Sequence, residues 1–247
     1  MKYGIEALFF IMKQLLLSCF LFNFTNVLAQ NYMPTVIKNQ AKSVAEFLPV
    51  GWVAVDSIKW DLNNDQMEDI VIVFQNKDSV NYFDTRSEDT IRIIPAILLI
   101  AFKTHANGLY QKIEQNGSCL IDNNIPATNL NPYCSMKIEN GILEIDFSYD
   151  YINADFYFYT YKFRYQNATF ELIGAEIIYT RRVTFDYKNY SFNFMTAKGY
   201  VKTGNGIDTI GIKETVTWFK IKSSNPKLLK SFVQPGSNFE VVKGVFL

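Results

Sequence analysis

Histidine is nearly missing from this chain: His105 is the only one in 247 residues, and cysteine occurs three times. A Ser-His-Asp or Cys-His nucleophile would therefore have to be built on His105, which stands beside an Asn107-Gly108 turn. No G-x-S-x-G elbow is present to accompany it. His105 reads instead as a solvated loop side chain. With a single His, no four-ligand Cys/His zinc set can be assembled. Phosphate-cradling glycine loops are lacking too, because Gly204-x-Gly206 lies between two strand-like runs rather than opening a helix. These absences leave carboxylate chemistry open, since an acid–base pair is a spatial feature that sequence hides.

An excess of one charge is also missing. The chain has 24 basic and 24 acidic residues, and removing residues 1–29 takes away two lysines and one glutamate, leaving a net charge near −1. With no basic run, a nucleic-acid surface or an electrostatic membrane patch is not expected. There is no Pro/Gly/Ser linker, heptad or low-complexity tract. Residues 30–247 are read as one β-rich domain, long enough to bury an ample core.

No apolar run in the chain is long enough to span a bilayer. Lys13 splits Ala7 to Met12 from Leu15 to Phe22, the second being a signal-peptide core of about eight residues. Translation starting at Met12 would leave that core intact. Val27-Leu28-Ala29 places small or medium side chains ahead of a cut before Gln30. Residues 1–29 therefore read as a signal peptide, and the mature chain is expected in the periplasm or outside the cell with no transmembrane span. A rival lies inside the same segment: Leu16-Leu17-Ser18-Cys19 resembles a bacterial lipobox, whose Cys19 would tether the product to a membrane as a lipoprotein.

Export leaves Cys119 and Cys134, fifteen residues apart, in an oxidising compartment. A disulfide between them is expected, worth about 3 kcal/mol on the chain-entropy account. The alternative is two buried thiols.

What the chain has in quantity is strand pattern. Gln40 to Leu48 places Val44, Phe47 and Leu48 on one helical face and is expected to form a short helix ended by Pro49 and Gly51. From Ile91 onward the period is mostly two. Asn107-Gly108 marks one hairpin turn, and Asn140-Gly141 another between Met136–Glu139 and Ile142–Phe147. Phe156 to Tyr165 and Phe170 to Ile178 pair across Gln166 to Thr169, and Tyr190 to Lys202 with Ile210 to Ile221 form the next hairpin. The expected fold is mainly β, an antiparallel meander of hairpins with a short N-terminal helix. Alternation within Phe156-Tyr157-Phe158-Tyr159-Thr160-Tyr161 predicts a phenylalanine core under a half-wet tyrosine face, with a sugar-stacking platform as the other reading.

One stretch carries chemistry. Asp61, Asn63, Asp65 and Asp69 occupy positions 1, 3, 5 and 9 of a D-x-N-x-D-x-x-x-D loop, which can aim several hard oxygens at one Ca²⁺, with the Met67 carbonyl as a further ligand. An EF-hand is excluded because its position 12 requires Glu, where this chain has Ile72, and because both flanks read as strands. Ile70 to Phe74 is unbroken and apolar, the pattern of a strand buried on both faces. The alternative for the loop is a solvated acidic turn whose side chains bond only their own backbone.

With FLPVGW ahead of it, this segment resembles the D-L-N-x-D-G-x-x-D loops of FG-GAP and VCBS-type repeats. It also resembles uncharacterised secreted Bacteroidetes-type proteins that carry one such loop, to which IENGILEIDF (138–147) and YKFRYQNATFELIGAE (161–176) are similar as well. The loop occurs once, which argues against a propeller. Gln66 stands where the pattern has Gly, at a cost of roughly 1–2 kcal/mol if the backbone there is left-handed. The function expected from these residues is that of an exported, non-enzymatic domain in which calcium staples a hairpin and the β surface binds a protein partner or a glycan. The alternative is a hydrolase using carboxylates such as Asp61 or Asp69.

Overall fold

The computed structural model describes residues 35–84, 89–120, 132–150, 155–206, 214–221, 227–233, 235–236 and 238–247. The expected signal peptide, the expected cut before Gln30 and Cys19 lie outside the described residues. The protein is mainly β, and its sheets are antiparallel. Strands β1 (Gln40–Ala41), β2 (Trp52–Trp60), β3 (Asp69–Asn76), β6 (Ala96–Lys103) and β7 (Tyr110–Asn116) form a five-stranded sheet in the order β1-β7-β6-β3-β2. Between β3 and β6, β4 (Val80–Asp84) and β5 (Asp89–Ile93) make a separate hairpin.

A seven-stranded meander follows: β8 (Tyr133–Glu139), β9 (Ile142–Asp150), β10 (Asp155–Gln166), β11 (Thr169–Arg181), β12 (Asp186–Asn193), β13 (Lys198–Asn205) and β14 (Thr215–Lys220). Its turns follow the local chemistry. Asn140 and Gly141 both have positive φ (52° and 72°), as a two-residue turn matched to strand twist requires. Asn167 and Ala168 do the same between β10 and β11.

The five-stranded sheet is the middle layer, and β3 shows why. Ile70, Ile72 and Phe74 face Ile37, Ala41, Phe47 and Trp52 from the N-terminal segment, while Val71 and Val73 face the meander. All five β3 side chains are buried, as the unbroken apolar run predicts, and full burial stabilises by about 1.5–3 kcal/mol for each large apolar side chain. Across the interface Phe102 meets the Tyr165 ring edge-on at 4.7 Å. The C-terminal segment closes the same core. A 3-10 turn (Leu229–Ser231) and the hairpin of β15 (Glu240–Val242) and β16 (Val245–Phe246) bring Leu229, Phe232, Val241 and Leu247 into it. Buried Asn116 fastens this segment, donating to the carbonyls of Leu229 and Phe232 while its Oδ1 accepts the Ser118 and Cys119 N–H groups.

Several expectations are corrected. The helix over Gln40 to Leu48 shrinks to one turn, α1 (Val44–Phe47), because Gln40 and Ala41 pair with Gln111 and Tyr110 instead. The long strand Tyr190 to Lys202 is broken into β12 and β13, which pair with each other. Their turn has no Gly or Pro to announce it: Asn193 Oδ1 accepts the Thr196 N–H, and Ala197 takes φ 51°. The faces of β10 are reversed. Tyr159 and Tyr161 are buried in the core, whereas Phe156 and Phe158 are half-buried, because Lys162 and Arg164 share the phenylalanine parity and hold that face toward water.

The Cys119–Cys134 bridge is not formed. Both thiols are free: Cys119 is buried in the inter-sheet core, whereas Cys134 is exposed where β8 is irregular and donates weakly to the Pro132 carbonyl at 3.5 Å. The two side chains belong to different environments, so sequence separation alone was a poor guide.

Candidate functional site

The Asp61–Asp69 loop joins β2 to β3, opening at Trp60 and closing where Asp69 pairs with Trp60. Its shape is set by short side chains bonding nearby backbone. Asp61 Oδ1 accepts the Asp65 N–H at 3.0 Å and Oδ2 accepts the Gln66 N–H at 2.8 Å. Asn63 Oδ1 also accepts from Asp65 N at 3.1 Å, and its Nδ2 donates to Asp65 Oδ2 at 2.9 Å. Asp65 Oδ1 accepts the Met67 N–H at 2.9 Å. These are Asx-type turns, and they demand unusual backbone: Asn64 has φ 61° and Gln66 φ 68°. Gln66 therefore does occupy a left-handed position.

Asp69 anchors the loop from below. It is 0 % exposed; Oδ2 accepts the Leu62 N–H at 2.9 Å and Oδ1 accepts the Lys103 N–H at 3.0 Å. Leu62 is itself in the core, so the loop is pinned at both levels. The β6–β7 turn contributes once more through His105, whose Nε2 lies 3.1 Å from the Asp65 carbonyl oxygen. A carbonyl only accepts, so Nε2 carries the proton in this contact. His105 is thus exposed but partnered, which adjacency to a turn did not disclose.

Burial pushes the Asp69 carboxyl up to about 6; the two N–H bonds pull it down in part, and the Asp65 and Asp61 charges add to the rise. Among the described residues no Lys or Arg pairs with Asp61, Asp65 or Asp69; the nearby Lys59 lies 4.0 Å from Glu68 instead. The donor set suits a hard cation: carboxylate, amide and carbonyl oxygens at alternate positions, with negative charge left uncompensated. Among the described residues no three His, Cys, Asp or Glu side chains are grouped so that they could hold a metal ion by themselves, Asp61, Asp65 and Asp69 included. Each carboxylate oxygen that accepts one N–H keeps a second lone pair. Asp69, wholly buried and doubly bonded to backbone, suits anchoring the loop better than meeting a substrate.

A second surface was not visible in the sequence. On the outer face of the meander, β13 presents Lys198, Tyr200 and Lys202, and β14 presents Val216, Trp218 and Lys220 directly opposite them. The Tyr200 and Trp218 rings are 5.1 Å apart at 58°, and Trp218 is 68 % exposed. The alternation K-x-Y-x-K and V-x-W-x-K was the available signal, but only the strand register aligns the two. The aromatic run on β10 supplies no such platform, because its tyrosines face the core.

No family model, curated protein or solved structure matches the chain. Among the described residues no helix is long and apolar enough to cross a membrane.

Proposed function

We propose that this chain is an exported, non-enzymatic β-sandwich in which Asp61, Asn63, Asp65, Asp69 and the Met67 carbonyl hold Ca²⁺, and whose sheet surface engages a protein or glycan partner. The observation that carries the reading is the buried Asp69 carboxylate, raised by burial and by two neighbouring acids with no cation paired to any of them. A divalent ion supplies the missing positive charge. Hard oxygens at alternate positions favour Ca²⁺ over a transition metal. The likeness to FG-GAP and VCBS-type loops supports the same assignment, and the Leu15 to Phe22 run with Val27-Leu28-Ala29 supports export to a calcium-rich compartment. The affinity expected is no tighter than roughly 10⁻⁴–10⁻³ M, the range of extracellular modules, because the left-handed Gln66 makes the loop costlier to form. In this role the ion clamps the β2–β3 hairpin against the β6–β7 turn and stabilises the folded state by mass action. Thermal melting of wild type and Asp65→Ala with and without millimolar calcium tests it. Wild type is expected to melt higher with calcium and the variant to respond weakly. A wild-type midpoint indifferent to calcium overturns the reading.

A further inference from the structure

We infer that the outer face of β13 and β14 is a binding platform for an anionic polysaccharide, a glycan carrying carboxylate or sulfate groups among neutral hydroxyls. The inference rests on the reading of the chain as an exported binding domain and names the ligand class of its surface. It begins with an arrangement that is unfavourable in isolation. Lys198 and Lys220 are cross-strand neighbours on one face, and among the described residues neither has an acidic partner. Like charges directly opposite one another destabilise a sheet, and an anion seated between them relieves the repulsion. One residue pair further along the strands, about 7 Å away, come Tyr200 and Trp218, and another step brings Lys202 and Val216. Ammonium, aromatic ring and ammonium thus follow in line on the outer face of the sheet, Lys198, Trp218 and Lys220 exposed and Tyr200 and Lys202 half-exposed.

The aromatic pair fits a sugar. Trp218 offers most of its surface to solvent, tilted against Tyr200 rather than tucked beneath a neighbour. The non-polar faces of pyranose rings stack on such groups, which combine an apolar body with a polar edge. The next strand supplies neutral hydrogen-bonding groups: in register beside the platform, β12 places Asn189, Ser191 and Asn193 opposite Lys202, Tyr200 and Lys198.

The charges discriminate between polyanions. Glu214 lies 3.8 Å from Lys202, and Glu176 is opposite Ser191 one strand further in. A nucleic acid, with a phosphate on every nucleotide, would press some of its charges against these acids. A polysaccharide with spaced carboxylates and intervening hydroxyls fits the mixed surface better.

The test uses the whole mature chain in affinity electrophoresis and titration calorimetry. Polygalacturonate and chondroitin sulfate serve as probes, with neutral dextran and a single-stranded oligothymidine for comparison. Trp218→Ala and the double variant Lys198→Ala/Lys220→Ala change exposed side chains, so both should fold, which melting temperature checks. The expected result is binding to at least one anionic glycan that weakens with salt, falls about tenfold or more in each variant, and exceeds binding to dextran. The proposal is overturned by wild-type protein that ignores both anionic glycans, binds dextran equally, prefers the oligonucleotide, or binds as well after Trp218→Ala. Calcium melts on the same samples keep the two readings apart. A calcium response without glycan binding removes only the platform, and glycan binding without a calcium response removes only the metal.

Discussion

Tyr133 of β8 donates its hydroxyl to Asp56 Oδ2 of β2 at 2.5 Å, linking the edge of the meander to the edge of the five-stranded sheet. Burial, followed by this bond to a carboxylate, raises the phenol's pKa above its ordinary value, so Tyr133 remains a donor at any physiological pH. Removing the hydroxyl leaves Asp56 partly buried and short of a donor. Tyr133→Phe is expected to cost about 1–3 kcal/mol in urea unfolding, the range for orphaning a buried polar group. An unchanged midpoint would show that the two sheets are held by apolar packing alone.

Asp69 makes calcium-free stability depend on pH in an unusual direction. Its carboxyl is held at about 6 in the folded protein against an ordinary 3.8, so the folded state binds the proton more tightly than the unfolded chain. Its contribution is therefore most favourable below about pH 4 and is lost as pH rises through about 6, a change on the order of 3 kcal/mol. Asp69→Asn removes the titration but forfeits one of the N–H bonds from Leu62 or Lys103. With calcium chelated, the wild type minus variant stability difference should decline between pH 4 and 7. A flat difference sinks the assignment.

Gln66 stores strain that glycine would release. At φ 68° the Cβ crowds its own backbone, and Gln66→Gly should stabilise the protein by about 1 kcal/mol after allowing for glycine's freer unfolded chain. For a chain of this size that is about 2–4 °C in melting temperature. The same substitution should tighten calcium binding by making the loop easier to form.

The two described cysteines should differ in reactivity. Burial pushes the Cys119 thiol up to about 12, while Cys134 is exposed and only partly desolvated. In native protein an alkylating reagent should modify Cys134 and leave Cys119 untouched until denaturant opens the core. Equal labelling of both, followed by peptide mapping, would contradict the burial.

Several signals were legible because the physics behind them is local. Asn140-Gly141 announces its own turn through positive φ, and Ile70 to Phe74 announces burial on both faces through the absence of any polar break. The Asp61–Asp69 spacing locates its loop because Asx side chains reach only backbone a few residues away. The turn at Phe194 to Ala197 escaped notice because it is closed by one Asn side chain and a left-handed alanine, neither of which carries a strong sequence mark. The reversed face of β10 was legible after all, in Lys162 and Arg164 two and four residues beyond Thr160. Phenylalanine's greater apolarity outweighed parity in the reading, whereas in the sheet the charged pair settles the whole strand.

The amino-acid sequence by itself determined the alternation of strands and turns and the oxygen-rich loop, since each depends on residues within one turn or strand. Only the tertiary structure decided what lies against what. Lys103 at the end of β6 and His105 in the turn after it reach the loop across 34 and 40 residues, Tyr200 meets Trp218 through strand register, and Cys119 and Cys134 fall on opposite sides of a burial boundary. Those outcomes follow from packing two sheets against each other, a condition imposed on the whole molecule that no short segment can express.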